Sequence, residues 1–243
     1  LLDASDRGAS DLTVAGKLFC DRFPPDKIPA LPTCGIFLRR EFPLKNNLEF
    51  PEGIHPCEDG LFSHFVLALT EKISFCPEAV YHYRQHEQGN HHQIRKRTAD
   101  ILPMIPRWLS LIEEFYEQRH LWKRKAGHLV RFIEHEPFEL RLLGMPFSPP
   151  EQEILYSIIR DFLNAHCTAA ECRRASLHLP FRLLLQSSGF SDFGRRLRRA
   201  GKNTGIRRKL LHFCPVPSWR RNGRAQLRQV REQLEEIRRN ITF

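Results

Sequence analysis

No stretch of this chain approaches the roughly 18 consecutive apolar residues that a membrane-spanning helix requires, so nothing in it is expected to cross a bilayer. The seven cysteines, at positions 20, 34, 57, 76, 167, 172 and 214, form no C-x-x-C pair, and an odd number cannot close into a complete intramolecular disulfide set. A reducing cytosol is the expected compartment. Zinc-ligand spacing, an RNP-like sequence and internal repeats are also lacking, which leaves no recognisable nucleic-acid reader. The opening LLDASDRGASD carries no basic-apolar-small signal pattern and begins with Leu, so the numbering is expected to start inside a longer polypeptide.

What is present suffices for a core. A chain of 243 residues, 41% hydrophobic, can build one large domain or two small ones. The net charge of +10 is uneven: residues 195–243 hold 15 Lys and Arg against three Glu, and residues 1–194 hold 23 against 25 acidic residues. The basicity therefore belongs to a tail.

Residues 1–33, rich in Asp, Pro and Gly with FPPDKIPALP as an extended connector, read as loop. GIFL suits a buried strand, RREFPLKNN turns away from it, and FPEGIHP forms a loop with a turn at Glu52-Gly53. Apolar residues at 61, 62, 65, 66 and 69 then have the spacing of one helix face, and Glu58 and Asp59 stand just before it. ISFCPEAVYHYR returns to β-branched and aromatic residues around a Pro turn.

Beyond about residue 95 the pattern is helical. Ile101, Ile105, Trp108, Ile112 and Phe115 mark one helix, and Leu129, Phe132 and Ile133 a second. SPPEQEILYSIIRDFLNAHC is a third, capped by Ser148 with Pro149 and Pro150 at its start. HLPFRLLLQSSGF adds a short fourth. In the tail, Leu227, Val230, Leu234, Ile237 and Ile241 repeat over about two heptads, enough for one amphipathic helix and too short for a stable coiled coil.

The acidic pair admits two readings. A carboxylate at the mouth of a helix can accept a proton from a substrate hydroxyl, or it can simply stabilise the positive helix end. The residues around it bear on the choice. The succession LRREF, NNLEFPEG, EDGLF and KISFCPEAVYHYR, over about 55 residues, resembles the second half of bacterial family-two glycosyltransferases of the GT-A fold. In those enzymes a Lys-Leu-Tyr-Arg-Arg-like strand leads to an Arg-Phe-Pro-Glu loop, a Glu-Asp helix start and a strand ending in Tyr-x-Tyr-Arg.

The resemblance implies an α/β chain: a partial GT-A, Rossmann-like catalytic half (1–95), a mainly α-helical extension (96–190) and a basic tail with an amphipathic helix (191–243). It implies inverting transfer of a sugar from a nucleotide-sugar donor to the hydroxyl of a glycan or lipid-linked acceptor, in cell-surface glycan biosynthesis. Asp59 matches the family's catalytic base and Glu58 its acidic neighbour. A helix N-terminus is expected to favour the ionised base, so capping and catalysis are compatible.

Tyr83 and Arg84 fall where the family's strand ends beside the cleft, Arg84 either holding the donor pyrophosphate or lying on the surface. Arg39 and Arg40 match a basic pair that either faces the acceptor or is structural. His82, His86, His91 and His92 crowd one polar loop; His91 and His92 are candidate metal ligands, with solvation the alternative. Relatives carry Trp and Lys where this chain has Cys34 and Ile36.

Family members also have an N-terminal nucleotide-binding half whose Asp-x-Asp holds Mn²⁺ or Mg²⁺. Asp3-Ala-Ser-Asp6 stands only about 30 residues before GIFL, fewer than the family places there, so that half is expected to be missing and this chain alone inactive. The basic tail suits an anionic inner-membrane surface, or is a solvated helix face. Two further function classes stay open: a non-catalytic remnant serving as an interaction module, and a salt-dependent nucleic-acid binder through RRLRR, RRK and WRRNGR.

Overall fold

The computed structural model describes residues 10–15, 30, 33–80, 94, 97–176, 178–212, 228 and 232. Among these, strands β1 (Leu12–Ala15) and β2 (Ile36–Leu38) are followed by helices α1 (Glu41–Lys45) and α2 (Glu58–Leu69) and then by strand β3 (Ile73–Cys76). Helices α3 (Thr98–Ile101), α4 (Met104–Gln118) and α5 (Trp122–Ile133) follow, and then a π-helical segment, Glu134–Leu143. α6 (Pro149–His166), α7 (Ala169–Ala175), α8 (Leu179–Gln186) and α9 (Phe190–His212) complete a mixed α/β chain that is mostly helical.

The sheet order is β2-β1-β3. β1 runs antiparallel to β2, with Thr13 opposite Phe37, and parallel to β3, with Thr13 opposite Ser74. This corrects the expectation that residues 1–33 are all loop, because the central strand lies within them. Leu12 and Val14 alternate inward and are fully buried, while the Thr13 hydroxyl bonds Ser74 Oγ at 2.7 Å. Four residues give too short an alternation to stand out beside the neighbouring Asp and Gly. RREFPLKNN differs as well: Glu41–Lys45 closes one helical turn, with Asn46 Nδ2 capping the Phe42 carbonyl at 2.8 Å.

The spacing of α2 predicts one apolar face, yet nine of its 12 residues are buried. Its polar members are buried because each finds a partner. Ser63 Oγ donates to the Gly60 carbonyl at 3.1 Å, and His64 Nε2 lies 3.2 Å from Tyr116 OH of α4. α4 and α5 pack directly on α2, and one buried cluster includes residues from Leu12 to Leu197.

Pro137 accounts for the π-helical segment. It lacks an N–H and its ring would strike the carbonyl four residues back, so the backbone widens there. The segment also carries two buried ion pairs, Arg131 with Glu134 and Arg141 with Glu136. α6 begins as its sequence predicts: Ser148 N–H and Oγ both reach Glu151 Oε2 at 2.7 Å, with Pro149 at the first position. α7 was not visible as a separate helix, although Thr168 and Glu171 pair in the same way.

Candidate functional site

The acidic pair forms the first turn of α2 itself, with Cys57 as the residue before it. The entry is tightly shaped. Leu48 and Ile54 anchor the preceding loop in the core, and the Phe50 ring stacks on Phe62 of α2 with centroids 4.1 Å apart. At Gly53 the backbone takes φ +67°, a left-handed value that favours glycine, and the Arg107 guanidinium of α4 lies 3.4 Å from where a Cβ would stand. The His55–Pro56 peptide is cis and Cys57 sits at φ +88°.

Asp59 is half-buried, and its Oδ1 accepts the Gly60 N–H at 2.8 Å while Oδ2 bonds to no other described residue. Burial raises its carboxyl pKa above the ordinary value. The Gly60 N–H opposes that, and the charges of Glu136 and Glu58 add to the rise. The helix N-terminus was expected to favour the ionised form, but desolvation outweighs the amide, and the net shift has the other sign. Glu58 pairs its Oε1 with His55 Nδ1 at 3.3 Å, while Oε2 is buried and meets no donor among the described residues.

Behind this turn stands the π-helical segment. Cys57 is buried beside Glu136, and burial first, then the Glu136 charge, pushes its thiol up. A Cβ at Gly60 would meet Cys57 Sγ at 3.1 Å and Glu136 Oε1 at 3.3 Å. Glu136 Oε2 in turn accepts from Arg141 Nη2 at 2.9 Å, and the Arg141 guanidinium lies 5.4 Å from the Trp108 ring centroid. Glu136 and Arg141 escaped the sequence reading, and Trp108 entered it only as a helix-face residue, because nothing in a sequence shows that a carboxylate 77 positions beyond Asp59 folds back against it.

Arg39, a candidate substrate contact, is tied to β1: its N–H donates to the Asp11 carbonyl at 3.0 Å and its Nε to the Ser10 carbonyl at 3.3 Å. Arg40 occupies the position before α1. No described contact joins either to Asp59. Tyr83, Arg84, His82, His86, His91 and His92 lie outside the described residues.

Among the described residues no group of three or more His, Cys, Asp or Glu side chains could hold a metal ion, so these residues do not make a site for Mn²⁺ or Mg²⁺. The five described cysteines are free thiols. No described helix is long and apolar enough to cross a membrane. In α9, Asp192 binds Arg196 at 2.7 Å and Arg195 at 3.2 Å, so two charges of the basic stretch are answered within the helix. The helix expected near residues 227–241 lies almost wholly outside the described residues. No protein-family model, curated protein or solved structure matches the chain.

Proposed function

We propose that this chain is the C-terminal portion of a family-two glycosyltransferase, with Asp59 as the base that deprotonates the acceptor hydroxyl. The carrying observation is the state of that carboxylate. One oxygen is fixed by the Gly60 amide, the other bonds no other described residue, and burial makes the group a stronger proton acceptor than a free Asp. A residue serving only to neutralise a helix end would gain from the opposite shift.

The order of elements supports the same reading. The strand β2, a shaped loop, a helix opening with Glu-Asp, and the strand β3 follow one another as the resemblance requires. In the proposed step the acceptor oxygen forms a bond to the anomeric carbon as its proton passes to Asp59 Oδ2. The bond from that carbon to the nucleoside diphosphate breaks on the opposite face, which inverts the configuration. Neutralising the leaving diphosphate would be the part of a donor-binding half and its divalent ion. The proposed location is the cytoplasmic face of the membrane, with the basic tail as a peripheral contact and no nucleic acid as partner.

The test is release of nucleoside diphosphate by the native polypeptide, purified from its source and given Mn²⁺, an acceptor extract and a panel of nucleotide sugars. Acceptor-dependent release from one donor is the expected result. Failure with every donor favours the interaction-module reading instead.

A further inference from the structure

We propose that Glu136, on the π-helical segment, is a positioning residue for Asp59. The inference rests on the reading of Asp59 as proton acceptor and names the group that orients it.

The geometry is a close contact at the start of α2. Cys57, two residues before Asp59, holds a left-handed backbone conformation that a non-glycine residue holds only at a cost, and its Sγ lies 3.1 Å from where a Gly60 Cβ would stand, a point 3.3 Å from Glu136 Oε1. Gly60, directly after Asp59, approaches Glu136 so closely that even a methyl group would stand 3.3 Å from Oε1. The chain on both sides of the carboxylate is therefore referenced to one side chain. Glu136 is itself held, since Arg141 Nη2 donates to its other oxygen at 2.9 Å and both residues are buried. A buried charge of this kind costs free energy unless paired, and a purely structural contact at Gly60 could be made by an apolar side chain.

Among the described residues, the charged groups that act on Asp59 come from two elements. Glu58, which is paired to His55, belongs to α2 and its approach; Glu136, which is paired to Arg141, belongs to the π-helical segment. Arg107 of α4 lies further out, against Gly53. Of these, Glu136 acts most strongly on Asp59, and it keeps the proton affinity of that carboxylate high. The π-helical turn forced by Pro137 thus supplies an oriented charge to a helix start 77 residues earlier.

The test compares Glu136→Gln, which keeps one acceptor oxygen for Arg141 and removes the charge, with the wild-type protein. Glu136→Gln leaves Arg141 buried without its counter-charge, so Glu136→Gln/Arg141→Gln, neutral at both positions, is made alongside it. The carbon-13 carboxyl signal of Asp59, identified by its loss in Asp59→Asn, is titrated in each folded variant. The native polypeptide is assayed across pH in parallel.

The expected result is a lower midpoint for Asp59 in both variants. The acid limb of the pH–rate profile should shift with it, and kcat fall about tenfold with KM little changed. An unmoved Asp59 midpoint in the folded variants overturns the assignment, even where Asp59→Asn is inactive. A lowered midpoint together with full turnover by Asp59→Asn supports the coupling and rejects Asp59 as the proton acceptor, so the two claims fail separately.

Discussion

Acidification should weaken this fold through one half-buried histidine. His128 on α5 donates Nε2–H to the His64 carbonyl at 3.2 Å, and its ring stacks on the His64 ring with centroids 4.3 Å apart at 8°. Burial lowers its pKa to about 4; the His64 carbonyl opposes the shift, and Lys125 and Arg131 assist it. The unfolded chain binds the proton with an ordinary affinity near pKa 6.5, so between that value and about 4 the unfolded state holds more protons. Stability is complete above the unfolded pKa and is lost as pH falls through that window.

The full shift corresponds to about 3 kcal/mol, and because His128 is half-buried by surface area, about 2 kcal/mol is the expected loss. Urea unfolding at about pH 7 and about pH 4.5 measures it, with His128→Gln as the reference because Gln keeps a donor for the His64 carbonyl. The wild-type protein should lose about 2 kcal/mol more than the variant across this interval. Equal losses in the two proteins would show that His128 is not held neutral by the fold, and the reasoning would fall.

Three further outcomes are expected. Gly144→Ala should destabilise by about 1–3 kcal/mol, because the added methyl would stand 2.7 Å from the Leu140 carbonyl oxygen; an unchanged thermal midpoint would contradict this packing. Ser148→Ala should cost about 1 kcal/mol in urea unfolding by removing the cap of α6, and a cost indistinguishable from zero would show that Pro149 sets the helix start unaided. The native protein should bind phosphatidylserine vesicles and release them as salt rises, whereas no sedimentation with vesicles even at low salt would remove the membrane role of the tail.

Parts of this structure were legible because local chemistry alone determines them. The start of α2 is readable from two carboxylates before a run of apolar residues, and that of α6 from Ser148, two prolines and Glu151. β1 was not, because its four residues become a strand only by pairing with β2 and β3, which arrive 21 and 58 positions later in the sequence as Ile36 and Ile73. Pro137 would normally end a helix; here tertiary packing retains the helical course by widening it. α7 carried a readable signal in the Thr168 and Glu171 spacing, although at seven residues its periodicity is too short to see. The candidate base was visible as a residue type at a helix mouth. Its raised pKa was not, because desolvation and Glu136 come from parts of the chain distant in sequence.

Whether Asp59 takes the acceptor proton is measured most directly by the single-turnover rate of the native polypeptide with Asp59→Asn, donor and acceptor saturating. Asn keeps the shape and can still accept the Gly60 N–H, but it cannot take the proton. The expected rate is lower by about 10²–10⁴ with the thermal midpoint and donor affinity retained. A rate within about twofold of the wild-type value would show that another group accepts the proton, and that Asp59 serves the helix alone.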